Sequence, residues 1–524
     1  MDRRTFLTSW RSSGSRFDNN FTPLERSLTT GLEPYVQSIS APWDEIRAGH
    51  LLRRTMMAPK WADIMTLLGM TPSQAVDTLL NTPSNPTKPA VADHDTESRA
   101  GLDAVLVNQL IGTWGSDASQ LREWWAGVLL NSPLSIIEKM TFFWSGHFTT
   151  EFNIDSVDYV QAPLLYRQNN LLRSLALGNI RDMTFAITLD PAMLVYLGGD
   201  VNNKVHPNEN FSREVMELFT MGLGQYSEGD VKEAARILTG WHASRYNDAP
   251  AQNGLFNAYF DPNAHDTGAK QYLGVTFSAT PIDENTEFLV KKNEVGKMID
   301  TIFEQRKQAV ATFICRKIYR FFVYSSPGGT DETVIAAMAK IFIDNDFTVG
   351  PVISKLLKSA HFFDNANIGA QIKTPAEFVI GLGRQLGYAA NVTSNMSSML
   401  QTVFDPPNVS GWTGWHDWIT TNTFPVRASI ALTAITALSD QQALSFIGQF
   451  PNNNNADTLI DAIGALMLPR KLSKQRHDDL VSRIVGGGKS YEWNTILTTS
   501  PATAARNLRD MLTTLTSLPD FQLC

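Results

Sequence analysis

Apolar residues recur at helical spacing along most of this 524-residue chain, and that period limits the fold more tightly than any other feature. Thr71-Pro72-Ser73-Gln74 reads as an N-cap with proline at the first helical position, and Ala75, Val76, Leu79 and Leu80 follow at core spacing. Helical patterns return at about 117–131, 133–143, 159–177, 179–189 and 208–222. Ser227-Glu228-Gly229-Asp230 approximates a capping box, and Gly240 is placed to end that helix as a C′ residue. Further patterns occupy about 284–304, 307–323, 331–345, 350–361 and 373–388, and the tail from about 425 is helical again. Three stretches interrupt. Residues 81–96 carry Pro83, Pro86 and Pro89 and read as a surface loop. Residues 240–283 mix Gly, Asn, Asp and Pro with short aromatic pieces such as Asn257-Ala258-Tyr259-Phe260, as in a long loop holding a small β-hairpin. Residues 404–418 form a loop rich in Pro, Gly and Trp. No repeat of fixed period interrupts this order. The expected class is all-α: a large multi-helix globular domain with a small β-hairpin insertion and a helical C-terminal appendage.

Composition narrows the function classes. Twelve Trp and 28 Phe supply a large core, which excludes intrinsic disorder. Cys315 and Cys524 are the only thiols, too few for a disulfide scaffold or a Cys-rich zinc site. Acidic residues outnumber basic ones, 52 to 44, for a net charge of −8 without basic runs, so nucleic acid is not an expected partner. No run of 18 apolar residues occurs, and no transmembrane segment is expected. The N-terminus, Arg3-Arg4-Thr5-Phe6-Leu7, resembles the core of a twin-arginine export signal, but the polar stretch from Ser9 to Asn20 lacks an apolar h-region. On that physics residues 1–44 are read as an arm and the location as cytoplasmic.

Three segments could carry chemistry. In a helix from residue 208, Asn210, Arg213, Glu214 and Glu217 share a face, with Phe211, Val215, Leu218 and Phe219 opposite. Two carboxylates a turn apart could bind a divalent cation or share a proton; they could equally form a solvated face with an Arg213–Glu217 pair. The second segment, His265-Asp266-Thr267-Gly268-Ala269-Lys270, concentrates a base, an acid and a cation in one turn, or is turn chemistry alone. The third sets His147 among aromatics, in Phe142-Phe143-Trp144-Ser145-Gly146-His147-Phe148, where a core histidine is the ordinary outcome. Were His147, Glu214, Glu217 and His265 to converge, they would make a mixed His/carboxylate metal site. The Trp412, Trp415 and Trp418 cluster serves either to close a core or to stack on a sugar or base. There is no phosphate-binding Gly-rich loop and no nucleophile elbow.

The same segments carry a family resemblance. Leu51-Leu52-Arg53-Arg54, Trp144 to Thr150, Arg167-Gln168-Asn169 and Leu189 to Leu194 resemble the bacterial family called domain of unknown function 1800. So do Pro207 to Thr220, Asp230 to Trp241, His265 to Lys270 and Pro406 to Trp412, while Arg54-Thr55-Met56-Met57-Ala58 departs from the usual Arg-Ala-Gly-Phe-Gly. The resemblance spans about residues 45–430 and implies one large helical domain there, with 431–524 as the appendage. It implies no agreed activity. It does imply export through the twin-arginine route, hence a periplasmic or secreted location, and a partner resembling domain of unknown function 1501, a sulfatase-like family.

Two readings follow. In one, the chain is a helical binding or scaffold protein, acting in an envelope or secreted complex, whose polar motifs form a buried ion-pair network that includes Arg213. In the other it is a metal-assisted hydrolase using Arg213, Glu214, Glu217, His265, Asp266 and Lys270, with His147, Glu214, Glu217 and His265 as metal ligands. The first is preferred, because each motif has a sufficient packing explanation.

Overall fold

Capping chemistry decides where several helices begin. In this computed structural model, which describes residues 30–92, 114–152, 160–243, 257–283 and 285–524, Thr71 and Gln74 cap each other reciprocally at the start of the helix Pro72–Asn81. Ser227 and Asp230 do the same for Glu228–Ile237, and Thr374 and Glu377 for Pro375–Leu386. Each box satisfies two backbone N–H groups that a helix start would leave unpaired. Gly240 follows its helix at φ 86°, a conformation that glycine adopts without a Cβ penalty. The twin-arginine-like motif lies outside the described residues.

The architecture is all-α, with the small β insertion where the helical period fails. Two expected helices contain a change of pitch. The pattern at 208–222 is an α-helix, Glu209–Met216, followed by a π-helical turn, Glu217–Met221. The pattern at 284–304 is Thr286–Leu289, a π-helical stretch Val290–Gly296, then Lys297–Gln305. A π turn spends an extra residue per turn, so side chains beyond it no longer face where a 3.6 period would put them. The insertion holds two small antiparallel sheets instead of one hairpin. β1 (Trp241–Ala243) pairs with β2 (Ala258–Phe260), and β3 (Lys270–Tyr272) with β4 (Val275–Phe277). The second is a tight hairpin whose turn residues, Leu273 and Gly274, both have positive φ.

One continuous cluster of buried apolar side chains runs from Ile46 to Phe521, so the helices beyond residue 431 share a core with those before it. Arg53, in the helix Glu45–Thr55, donates to the carbonyls of Ala465 and Leu466 in the helix Ala456–Met467. Ile372 and Leu523 form an antiparallel bridge, and Lys373 Nζ donates to Phe521 O at 2.7 Å. The chain end is thereby pinned beneath the helix Pro375–Leu386. No helix among the described residues is long and apolar enough to cross a membrane.

Candidate functional site

The end of the helix Ile137–Ser145, the helix Lys307–Phe322 and the 404–418 loop meet around an open cavity of about 250 Å³, just below the usual range of drug-sized pockets and enough for a small ligand. The loop sits there through close backbone approach. Gly411 has φ 79°, and a Cβ on it would lie 2.5 Å from the carbonyl oxygen of Gly146. Thr149 Oγ1 donates to Val409 O at 2.5 Å, and the Trp412 ring lies parallel to Phe142, centroids 6.4 Å apart. Trp415 holds φ 54°, an uncommon conformation for a bulky residue, with its ring edge-on to Tyr324. This gives the glycine–tryptophan pattern of the loop a physical purpose: Gly411 lets it press onto the helix end, and the indoles line the cavity.

Charge in the cavity is unbalanced. Arg54, Lys317 and Arg320 line it against one carboxylate, Glu377. Glu377 is already engaged: Lys139 is bonded to its Oε1, and its Oε2 accepts the Thr374 N–H at 2.7 Å. Its burial alone would raise its pKa, but Lys139 and Arg54 outweigh that and hold it below the usual carboxylate value. Lys317 donates to His147 Nδ1 at 2.9 Å and to Leu218 O at 3.1 Å, and lies over the Phe313 ring. Burial, reinforced by Arg320, lowers its pKa to about 8. His147 therefore accepts at Nδ1 and donates from Nε2 to Phe219 O at 3.0 Å, the pattern of a neutral imidazole. Burial and the Lys317 charge keep its pKa well below the ordinary value, in agreement.

The hydrogen-bonding capacity left over in the pocket consists mainly of donors. Arg320 uses Nε on Ser325 O at 2.9 Å, and its Nη groups have no acceptor among the described residues. Gln401, 2% exposed, accepts from Ala376 N at 2.8 Å, and its Nε2 has no acceptor among the described residues. The same holds for the indole N–H groups of Trp412, Trp415 and Trp418.

The sequence-derived candidates do not assemble into one site. His147 lines the cavity; Glu214, Glu217 and His265 do not. Both ring nitrogens of His147 are occupied as described. Those of His265 face Thr239 O at 2.8 Å and Glu294 Oε1 at 3.2 Å. Among the described residues no group of three or more His, Cys, Asp or Glu side chains is placed to hold a metal ion. The four expected ligands are thus not brought together: Glu214 and Glu217 stay neighbours, while His147 lines the cavity and His265 faces Glu294.

Arg213 corrects a second expectation. It pairs in bidentate fashion with Glu228, at 2.8 and 2.7 Å, and not with Glu217. Glu217, at the start of the π turn, is bonded to the Tyr226 hydroxyl instead. Burial, with the nearby Glu217, raises the Glu214 pKa. The Arg213–Glu228 pair is largely exposed, so Arg213 belongs to no buried network.

A buried network exists at the second motif. Glu294 receives Lys270 Nζ at 2.6 Å, faces His265 and is bonded to the Thr280 hydroxyl. Asp266 holds Arg236 through 2.8 and 3.2 Å contacts and accepts the Gly268 N–H at 2.9 Å, which depresses its pKa. His265, Asp266 and Lys270 therefore knit the insertion to the helices. The residues that sequence reasoning missed are Lys317, Arg320, Gln401 and Glu294. A usable signal was present for one pair only: Lys317 and Arg320 lie three apart in the helix Lys307–Phe322, which places both cations on one face.

Fold and site together define a mostly helical protein with a cationic, aromatic pocket. The chain belongs to the family described as "Protein of unknown function (DUF1800)", which matches residues 50–523. The match thus extends past 430 and takes in the C-terminal helices that share the core. No curated protein and no solved structure is a match.

Proposed function

We propose that this chain is a binding protein whose pocket takes a small oxyanion-bearing molecule with an apolar face, of which an acidic sugar is the simplest example. One observation carries the reading: among the described residues, the Arg320 Nη groups, the Gln401 amide and three indole N–H groups at the cavity have no acceptor, beside tryptophan rings. Such a surface pairs with carboxylate, sulfate or phosphate oxygens and with the C–H face of a sugar ring. A neutral, donor-rich ligand would leave those donors unpaired and meet no free carboxylate. The pocket's excess charge, three cations against one carboxylate, stands against the net −8 of the whole chain.

Tryptophan fluorescence reports binding directly, since the indoles form the wall. Titration with methyl glucuronide should change the emission saturably. Arg320→Gln should weaken the apparent affinity about tenfold to a hundredfold, the worth of a charged hydrogen bond. An emission unchanged by the glucuronide, or equally changed in the Arg320 variant, removes the proposal. The family resemblance adds a partner to this reading, a protein like domain of unknown function 1501 in an envelope or secreted complex. Its recovery with the tagged full chain from native cells supports that part, and its absence there argues against it.

A further inference from the structure

Lys317 supplies the pocket with more than charge. It is partly buried, lines the cavity, and has no carboxylate partner among the described residues. The groups around it are the Leu218 carbonyl, the face of Phe313, the guanidinium of Arg320 one helical turn away, and His147. A lysine used only for charge would gain from a carboxylate partner. This one instead meets a second cation and a neutral imidazole whose Nδ1 accepts its N–H at 2.9 Å. Burial and the neighbouring Arg320 charge favour the uncharged amine, which is the nucleophilic form, while the His147 acceptor orients it. The pKa of about 8 agrees, leaving about a tenth of the amine uncharged at pH 7 and about half at pH 8.

We propose that Lys317 forms a covalent imine with aldehyde- or keto-bearing anions that enter this pocket. The proposal rests on the anion-binding reading above, because the cations hold the ligand while the amine reacts. The Nζ lone pair attacks the carbonyl carbon, a C–N bond forms, and the carbonyl π pair moves onto oxygen. One amine proton crosses to that oxygen, and His147 Nδ1, already its hydrogen-bond acceptor, is placed to relay it. The second follows as the C–O bond breaks and C=N closes. Amine and carbonyl give imine and water, with no external oxidant or reductant. Arg320 Nη groups and the Gln401 amide would hold the ligand's acid group, and Trp412 would shield the imine from water.

The full-length chain, treated with glyoxylate and cyanoborohydride at pH 8 and mapped by peptide mass spectrometry, tests this. The expected result is N-carboxymethylation of Lys317 at least roughly tenfold faster than of the exposed Lys340 and Lys474. Lys317→Arg should abolish the fast site, and methyl glucuronide, which has no free carbonyl, should slow it by competition. Labelling of Lys317 no faster than of Lys340 overturns the imine proposal. The two readings fail separately: methyl glucuronide that still shifts the fluorescence while Lys317 stays unlabelled leaves the binding reading standing and removes the imine alone.

Discussion

Glu294 carries the clearest consequence at the scale of single residues. It is 1% exposed and joins His265, Lys270 and Thr280, which come from three points along the insertion. Removing it leaves the Lys270 ammonium buried without its carboxylate, so Glu294→Ala should cost about 3–5 kcal/mol in a denaturant melt. Arg213→Ala should leave the midpoint nearly unchanged, because its pair with Glu228 faces water. Lys373 makes a prediction about pH. Burial, with Arg53 next, lowers its pKa to about 7, so between that value and the ordinary lysine range the unfolded chain binds the extra proton. Stability contributed at this site therefore rises with pH. The gap between wild type and Lys373→Met should shift in favour of wild type from pH 6 to pH 9, measured by chemical denaturation at each pH. None of this was legible in the sequence around Glu294. Lys291-Lys292-Asn293-Glu294 reads as a solvated charge run, and its buried partners lie 14 to 29 positions away.

At the scale of elements, local chemistry that a sequence states outright proved reliable. The Thr71–Gln74 and Ser227–Asp230 caps need only residues three apart, and both are present as read. Arg213, Glu214 and Glu217 stay close as the period implies, but the Arg213–Glu217 pair does not form, because Glu228 and Tyr226 from the following segment take those two partners. The 3.6 period fails only beyond that point, where the π turn Glu217–Met221 re-aims Leu218 and Phe219. The 404–418 loop was recognised as rigid and aromatic, but its choice between closing a core and facing a ligand depended on what lay across from it. What lies across the cavity from it is Lys317 and Arg320, about 90 positions earlier in the chain. Gly411 makes this element testable. Gly411→Ala combines an unfavourable φ with a Cβ 2.5 Å from Gly146 O, so the loop must move away from the helix Ile137–Ser145. We expect a loss of about 1–3 kcal/mol in stability, together with weaker glucuronide binding, by melting and fluorescence titration. A fully stable variant with unaltered binding would mean the loop does not shape the pocket.

Across the whole molecule, the helical period foretold an all-α protein, and the core joins the last hundred residues to the rest. Placing the pocket required that joining, because Glu377 and Gln371, on its wall, are backed by the chain end. Cys524 N donates to Gln371 O at 2.9 Å, and its thiol is buried against Arg54 and Glu377. A stretch read as an appendage thus supports the site. The central claim, an anion pocket, also has a pH signature: as Lys317 loses its proton through about pH 8, a cation disappears from the wall. Affinity for methyl glucuronide should fall from pH 7 to pH 9, by roughly tenfold if the amine contributes one charged hydrogen bond. The most direct measurement is a crystal structure of the full chain soaked with methyl glucuronide. The account predicts the sugar ring against Trp412 and its carboxylate within hydrogen-bonding distance of Arg320 or Lys317. A ligand bound elsewhere, or a pocket left empty at a concentration that saturates the fluorescence change, would contradict it.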